Sequence, residues 1–234
     1  AQPRRLKVRR TPDSAARMDV PEAIPAATLI LFREQPPSPP ELLITQRAAG
    51  MAFAGGALVF PGGRIDPEDH VRASEHPDLD DAAARIAAIR ETVEEVGFDF
   101  GLSVHDLTPF ARWLPKHRQA RNFDTLFYLA RVPADAPEPE ADGGETVRAF
   151  WASATDVLAL CDRGEAEIIF PTRRNLERLA QFDSFDAAVA DALAHPIVPI
   201  TPFQEEREDG HWLCIPDGLG YPKTAERWTS VMRG

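Results

Sequence analysis

The sequence predicts an α/β protein built around a mixed β-sheet. Short apolar segments of strand length alternate with segments of helical periodicity along most of the 234 residues. The longest helical pattern, residues 82–98 (AAARIAAIRETVEEVGF), consists of strong helix formers with no proline and no glycine before Gly97. A chain of this length can bury one large core, so we expect one elaborated domain rather than two.

The remaining elements follow from periodicity and turn residues. Strands are predicted at 26–32, 41–47, 57–60, 108–114, 123–132, 145–151, 197–200 and 211–215. Further helices are predicted at 153–163, 171–182 and 184–195, which together form a helical C-terminal extension over residues 153–195. Residues 1–25 are predicted to be a solvated N-terminal arm.

Composition excludes several classes of partner. No apolar run approaches the roughly 20 residues that cross a bilayer, and no apolar secretion signal stands near the beginning. A net charge of −11 argues against a broad surface for nucleic-acid backbone. Cys161 and Cys214 lack metal-site spacing and are typical of free thiols. We therefore expect a cytoplasmic protein with no nucleic-acid or membrane partner.

The helix at 82–98 carries the candidate chemistry. Four of its apolar residues share one side and are predicted to be buried: Ile86, Ile89, Val93 and Val96. Three glutamates lie roughly opposite: Glu91, Glu94 and Glu95. Carboxylates at this spacing repel one another, and the helix dipole disfavours them near the C-terminus. A divalent cation such as Mg²⁺ or Mn²⁺ would offset this repulsion. From these residues alone, a solvated acidic face is the alternative.

Two stretches resemble a known motif. Residues 90–98, RETVEEVGF, are similar to the second half of the Nudix box, R-E-U-x-E-E-x-G-U, in which U is bulky and apolar. Residues 60–63, FPGG, resemble the glycine turn that opens this box. Through these residues the chain is identified as a member of the Nudix superfamily.

This sequence departs from the Nudix pattern in two ways. Thr92 occupies an apolar position of the box. Gly63 and Arg90 are 90 − 63 = 27 positions apart, against about 14 in the family pattern. The extra residues are placed at 66–79 (DPEDHVRASEHPDL), which we expect to form a polar loop near the substrate cleft. The early glutamate of the box is left unassigned, because Glu68, Asp69 and Asp81 compete for it.

The resemblance implies an α/β/α sandwich over residues 26–234, with extra C-terminal helices. It also implies a hydrolase that uses Mg²⁺ or Mn²⁺ to cleave the pyrophosphate bond of a nucleoside diphosphate linked to another moiety. The implied metal ligands are the carboxylates of Glu91, Glu94 and Glu95 and the backbone carbonyl of Gly62. Arg90 is expected to orient Glu91.

A further carboxylate is expected from the loop before the strand at 145–151. Glu145 is the chosen residue, as general base or metal ligand, with Asp142 and Glu140 in reserve. The alternative for Glu145 is an acid that only ends a loop.

The substrate prediction rests on residues 42–63. An LLxxR strand followed by FPGG is similar to Nudix enzymes that act on coenzyme A, in particular the branch of the peroxisomal coenzyme A diphosphatase. Arg47, Phe60 and Gly63 are therefore candidate substrate contacts, with a surface ion pair as the alternative for Arg47. Other open readings are a pyrophosphatase for nucleotide sugars, dinucleoside polyphosphates or oxidised nucleotides, and a non-catalytic nucleotide-sensing module. A homodimer is an open alternative to a monomer.

Overall fold

The computed structural model describes residues 22–51, 54–115 and 122–228, so most of the predicted N-terminal arm lies outside it. The strands in these ranges are β1 (Ile24–Arg33), β2 (Glu41–Arg47), β3 (Leu58–Val59), β4 (Gly62–Arg64), β5 (Thr108–Trp113), β6 (Phe123–Val132), β7 (Thr146–Ser153), β8 (Pro199–Ile200), β9 (Phe203–Arg207), β10 (Gly210–Cys214) and β11 (Ala225–Arg227). The helices are α1 (Pro67–Ala73), α2 (Ala82–Val96), α3 (Ala154–Asp162), α4 (Phe170–Leu179) and α5 (Phe185–Ala194), with a short 3₁₀ helix at Val104–Asp106. None of the helices in the described ranges combines the length and apolarity needed to cross a bilayer.

The larger sheet is mixed, as predicted. Its described strands follow the order β3-β2-β1-β6-β5-β8, with β4 added to β1 and β7 added to β2. β1 lies parallel to β6 along its whole length and antiparallel to β2 and β4. The central strand β1 therefore holds both the parallel and the antiparallel parts of the sheet together.

Helices cover both faces of this sheet. Leu29 and Leu31 of β1 pack into one buried cluster with the alanines of α2. Their neighbours Ile30 and Phe32 point to the opposite face, into a second cluster with α3, α4 and α5. This alternation along one strand confirms the predicted α/β/α sandwich.

Local signals in the sequence fix several element ends. Gly97 ends α2 in a left-handed conformation with φ of 67°, which glycine adopts at little cost. The hydroxyls of Ser153 and Ser184 accept hydrogen bonds from the backbone N–H groups of Asp156 and Ala187, and so cap α3 and α5. The predicted helices and most predicted strands are confirmed within a few residues of their ends.

Other parts of the chain differ from the sequence prediction. Residues 66–79 are not simply a polar loop, because they contain helix α1 with a proline at its start. β4, β9 and β11 were not predicted. β9, β10 and β11 form a separate antiparallel sheet near the C-terminus, and every residue of β9 is exposed, so it lacks the alternating pattern of a half-buried strand.

Charged residues of α4 attach this C-terminal part to the main core. The side chains of Arg174 and Arg178 are each only 2% exposed. Arg174 donates to Glu226 of β11 at 2.8 Å, and the Tyr221 hydroxyl donates to Asn175 at 2.8 Å. The C-terminal residues therefore supply partners for buried polar groups that would be costly to leave unpaired.

Candidate functional site

The sheet-facing side of α2 is made largely of small residues. Ala84, Ala87 and Ala88 are at most 3% exposed and pack against the sheet. Alanine side chains let the helix axis lie close to β1, whereas Ile89 and Val93 are only partly buried on the outer side. The predicted stripe of Ile86, Ile89, Val93 and Val96 is thus only half correct.

Glu95 lies inside the protein rather than on an acidic surface stripe. It is 7% exposed, and its carboxylate accepts a hydrogen bond from the Thr45 hydroxyl at 3.3 Å and another from the Gly62 backbone N–H. Burial raises the pKa of Glu95 to about 7; the positive charge of Arg47 opposes this rise and the negative charge of Glu91 adds to it. The alternative of a solvated acidic face formed by all three glutamates is therefore wrong for Glu95.

Glu91 is half-buried against the glycine turn. A Cβ atom at Gly63 would overlap the Glu91 carboxylate, so only glycine permits this approach. Burial raises the pKa of Glu91, although the neighbouring Arg90 opposes the rise. The two halves of the split motif thus meet directly, despite the 27 positions between Gly63 and Arg90 (90 − 63).

Arg90 joins four acidic side chains. Its Nη1 donates to Glu91 at 3.0 Å and to the exposed Glu94 at 3.2 Å. Its Nε and Nη2 donate to the two carboxylate oxygens of Asp69 at 3.1 and 2.8 Å, and Asp66 lies 3.7 Å away. The hydrogen bonds with Asp69 raise the pKa of Arg90 further above its ordinary value. Arg90 lies against Glu91, as an orienting residue must; its role in the reaction stays a prediction.

Asp69 is a site residue that the sequence left unassigned. It belongs to α1, is 1% exposed, and also accepts the backbone N–H of Asp66 at 2.9 Å. Burial alone would raise its pKa, but the hydrogen bonds from Arg90 and Asp66 hold it below the ordinary value. The competing Asp81 is engaged elsewhere, with Arg85 and Tyr128. No local pattern in the sequence separates Asp69 from Glu68 and Asp81, because its contact with Arg90 depends on the fold.

The loop before β7 docks on the end of α2. The Asp142 carboxylate accepts hydrogen bonds from the backbone N–H groups of Gly144, Glu145 and Thr146 at 3.1, 3.3 and 2.8 Å. The backbone N–H of Asp142 donates to the carbonyl of Glu95 at 3.3 Å. The reserve candidate Asp142 therefore stabilises the loop, because both of its carboxylate oxygens accept hydrogen bonds from the loop backbone.

Glu145 is exposed and lies at the end of β2. Its backbone carbonyl accepts the N–H of Ala48 at 2.8 Å. Ala48 directly follows Arg47 in the chain, so this contact places Glu145 close to Arg47. The positive charge of Arg47 in turn opposes the burial-driven rise in the pKa of Glu95. The other reserve, Glu140, is also exposed and donates its backbone N–H to Val96 at 3.2 Å. The role of Glu145 as base or ligand stays a prediction.

Comparison with known proteins identifies the family of the chain. The NUDIX domain model matches residues 23–172. The chain belongs to the Nudix superfamily. It is 30% identical over 117 residues to a probable nudix hydrolase of Schizosaccharomyces pombe, a match that covers 50% of this chain and 35% of that protein. The chain thus spans about a third of that relative.

A solved Nudix structure shows the same architecture. The crystal structure of a NUDIX hydrolase from Alicyclobacillus acidocaldarius superposes with a TM-score of 0.64 at 26% identity, covering 72% of this chain and 96% of that one. Nudix hydrolases generally use divalent metal ions. The Nudix fold and the Nudix box are thus both present, with the box divided between β4 and α2.

The box residues fit a divalent cation in their chemistry. Carboxylate oxygens are the ligands that Mg²⁺ and Mn²⁺ prefer, and Glu91 and Glu95 carry partly desolvated negative charge. In residues 22–51, 54–115 and 122–228, however, no three acidic, histidine or cysteine side chains already converge on one point. In this arrangement Arg90 donates to both Glu91 and Glu94, and Glu95 accepts the hydroxyl of Thr45.

The three predicted substrate contacts lie in different environments in the structure. Phe60 is 3% exposed and packs in the core with α3, α4 and α5, so its placement does not support a direct substrate contact. Gly63 faces Glu91, and Arg47 lies near Glu95. Gly62 lies against β1 at a φ of 155°, and its N–H is turned to Glu95; the metal-binding role of its carbonyl stays a prediction.

Proposed function

We propose that this chain is a divalent-metal-dependent pyrophosphohydrolase that cleaves a nucleoside diphosphate linked to another moiety. The observation that carries the proposal is the contact between Gly63 and Glu91. It brings the glycine turn and the acidic helix together although an insertion separates them in the sequence.

Three carboxylates and one carbonyl would hold the metal: Glu91, Glu94, Glu95 and the carbonyl of Gly62. When bound, Mg²⁺ or Mn²⁺ neutralises charge on the diphosphate oxygens and lowers the pKa of a coordinated water. The protein supplies the positions of these groups. Asp69 fixes Arg90 by two hydrogen bonds, and Arg90 in turn holds Glu91 and Glu94 in place.

Two residues outside the box complete the proposal. Arg47 is a cation beside the buried Glu95, in a position to attract substrate phosphate. Glu145, exposed at the same end of β2, would accept a proton from the attacking water or bind a further ion. The similarity of residues 42–63 to Nudix enzymes of coenzyme A supports coenzyme A or acyl-coenzyme A as the substrate.

A panel assay tests the substrate. Coenzyme A, NADH, ADP-ribose and 8-oxo-dGTP would be incubated with the purified protein in Mg²⁺ or in Mn²⁺, and the products identified by mass spectrometry. We expect metal-dependent cleavage at the pyrophosphate, fastest with coenzyme A. Preference for another member of the panel would reject the coenzyme A assignment and retain the reaction. Absence of turnover with every substrate and both ions would favour a nucleotide-sensing module.

The substitution Glu94→Gln tests the site. Glu94 is exposed, with a side chain that is 59% accessible, so its replacement should leave the fold intact. We expect kcat to fall by about 100-fold or more, because a proposed metal ligand loses its charge. Glu206→Gln, an exposed glutamate on β9, is the matched control and should keep wild-type turnover. Near wild-type kcat in the Glu94 variant would refute the assignment.

A further inference from the structure

Thr45 lies between the two halves of the divided Nudix box. It is 0% exposed in the middle of β2 and pairs with Val59 of β3, which leads into the glycine turn. Its hydroxyl oxygen is 3.3 Å from Glu95 Oε2 and 3.4 Å from the carbonyl oxygen of Val59. Thr45 belongs to neither half of the motif, yet it contacts Glu95 of the second half and Val59, which directly precedes the first half.

Glu95 depends on donors of this kind. Because the residue is 7% exposed, few water molecules can solvate its carboxylate, and a buried carboxylate without hydrogen bonds is costly. One donor is the backbone N–H of Gly62 and another is the Thr45 hydroxyl. The first ties Glu95 to the glycine turn, and the second ties it to the sheet.

The Thr45 hydroxyl has one proton and two acceptors within reach. A hydrogen bond to an ionised carboxylate is stronger than one to a neutral carbonyl. The proton is therefore donated to Glu95. Together with the Gly62 N–H, this bond restricts the rotation of the Glu95 side chain.

We propose that Thr45 is a positioning residue, which holds the Glu95 carboxylate in the orientation needed to bind a divalent cation. The inference rests on the proposed function, since it assigns Glu95 to the metal. It adds a residue outside the box to the apparatus of the site. Ordering a ligand before the ion arrives raises affinity, because less conformational entropy is lost on binding.

Three substitutions separate this role from simple packing. Thr45→Val keeps the shape and removes the hydroxyl, Thr45→Ser keeps the hydroxyl, and Thr172→Val removes a hydroxyl from an equally buried threonine on α4, 4% exposed. Mn²⁺ affinity would be measured by titration calorimetry in the absence of substrate, and the melting temperature of the metal-free proteins by calorimetry. We expect Thr45→Val to weaken Mn²⁺ binding by about 10-fold or more, with Thr45→Ser and Thr172→Val close to wild type.

Unchanged Mn²⁺ affinity in Thr45→Val would overturn the inference, even if its melting temperature fell. Equal weakening in Thr45→Ser would also overturn it, because the hydroxyl would then not be the group that matters. If Thr45→Val does not fold, Thr45→Ala takes its place in the same titration. Failure of the proposed function looks different, since the wild-type protein itself would then show neither Mn²⁺ binding nor metal-dependent turnover.

Discussion

At the scale of single residues, the site is a chain of alternating charges. Asp69 binds Arg90, and Arg90 binds Glu91 and Glu94. The arginine therefore links an acid that the solvent does not reach to two that it does. Such a bidentate pair fixes the guanidinium plane as well as its position, so the orientation of Glu91 depends on a residue of α1.

Replacing Asp69 with asparagine tests this dependence. The change leaves Arg90 without its buried counter-charge, so we expect a loss of about 1–3 kcal/mol in the free energy of unfolding and a clear fall in kcat. Denaturant unfolding and steady-state kinetics would measure the two effects. Glu68→Gln, an exposed acid on the same helix, is the control. An Asp69 variant with unchanged stability and kcat would show that Arg90 holds its position without α1.

At the scale of elements, the insertion contacts the candidate site through Asp69. α1 contributes Asp69, and the residues around it form one wall of a cavity of about 400 Å³ along the outer side of α2. Arg72 and His76 line this cavity together with Ile89 and Val93. Arg90 and Glu94 also line it, so the cavity reaches one of the four candidate metal ligands.

The double substitution Arg72→Ala with His76→Ala tests whether the insertion shapes substrate access. It retains Asp69 and α1, so the ion pair with Arg90 stays in place. We expect KM to rise several-fold with little change in kcat, because a contact shared by the ground state and the transition state is removed. His211→Ala on β10 is the control. If the double variant and the wild type have equal KM values for each substrate of the panel, the insertion has only a structural role.

The sequence was informative where one segment determines its own structure. β2 was predicted with its observed bounds, because prolines and the LLITQR pattern define both ends. The sequence-based prediction failed where the environment of a residue depends on partners that are distant in the chain. The burial of Glu95 follows from Thr45 and Gly62 on other strands, and the role of Asp69 follows from Arg90, 21 positions away. Alanines gave no strong apolar signal, so the buried side of α2 was predicted from its larger apolar residues, of which Ile89 and Val93 are only partly buried.

At the scale of the whole molecule, the buried Glu95 links stability to pH. Its pKa is raised from 4.5 to about 7, mainly by burial. Between these two values the folded protein binds more protons than the unfolded chain, so the free energy of unfolding falls as pH rises. The destabilisation is complete above the pKa of Glu95 in the folded protein and absent below its pKa in the unfolded chain.

Comparison of Glu95→Gln with wild type in metal-free buffer tests this linkage. From about pH 5 to about pH 8, we expect the wild type to lose more stability than the variant, by at most about 3 kcal/mol. Thermal unfolding with a chelator present would measure the difference, with Glu206→Gln following the wild type. Parallel pH profiles for Glu95→Gln and wild type would show that Glu95 ionises normally.

The buried arginines of α4 bear on how far the chain can be shortened. The segment that matches the Nudix family ends at residue 172, within the first turn of α4 (Phe170–Leu179). A fragment that ends at residue 172 would lack Arg174 and Arg178. A fragment that ends after α5 would keep these arginines. It would lack Glu226, the partner of Arg174, and Tyr221, the partner of Asn175. We therefore expect the unit that folds autonomously to extend beyond residue 172, where the match to the Nudix domain ends, and to include the C-terminal sheet.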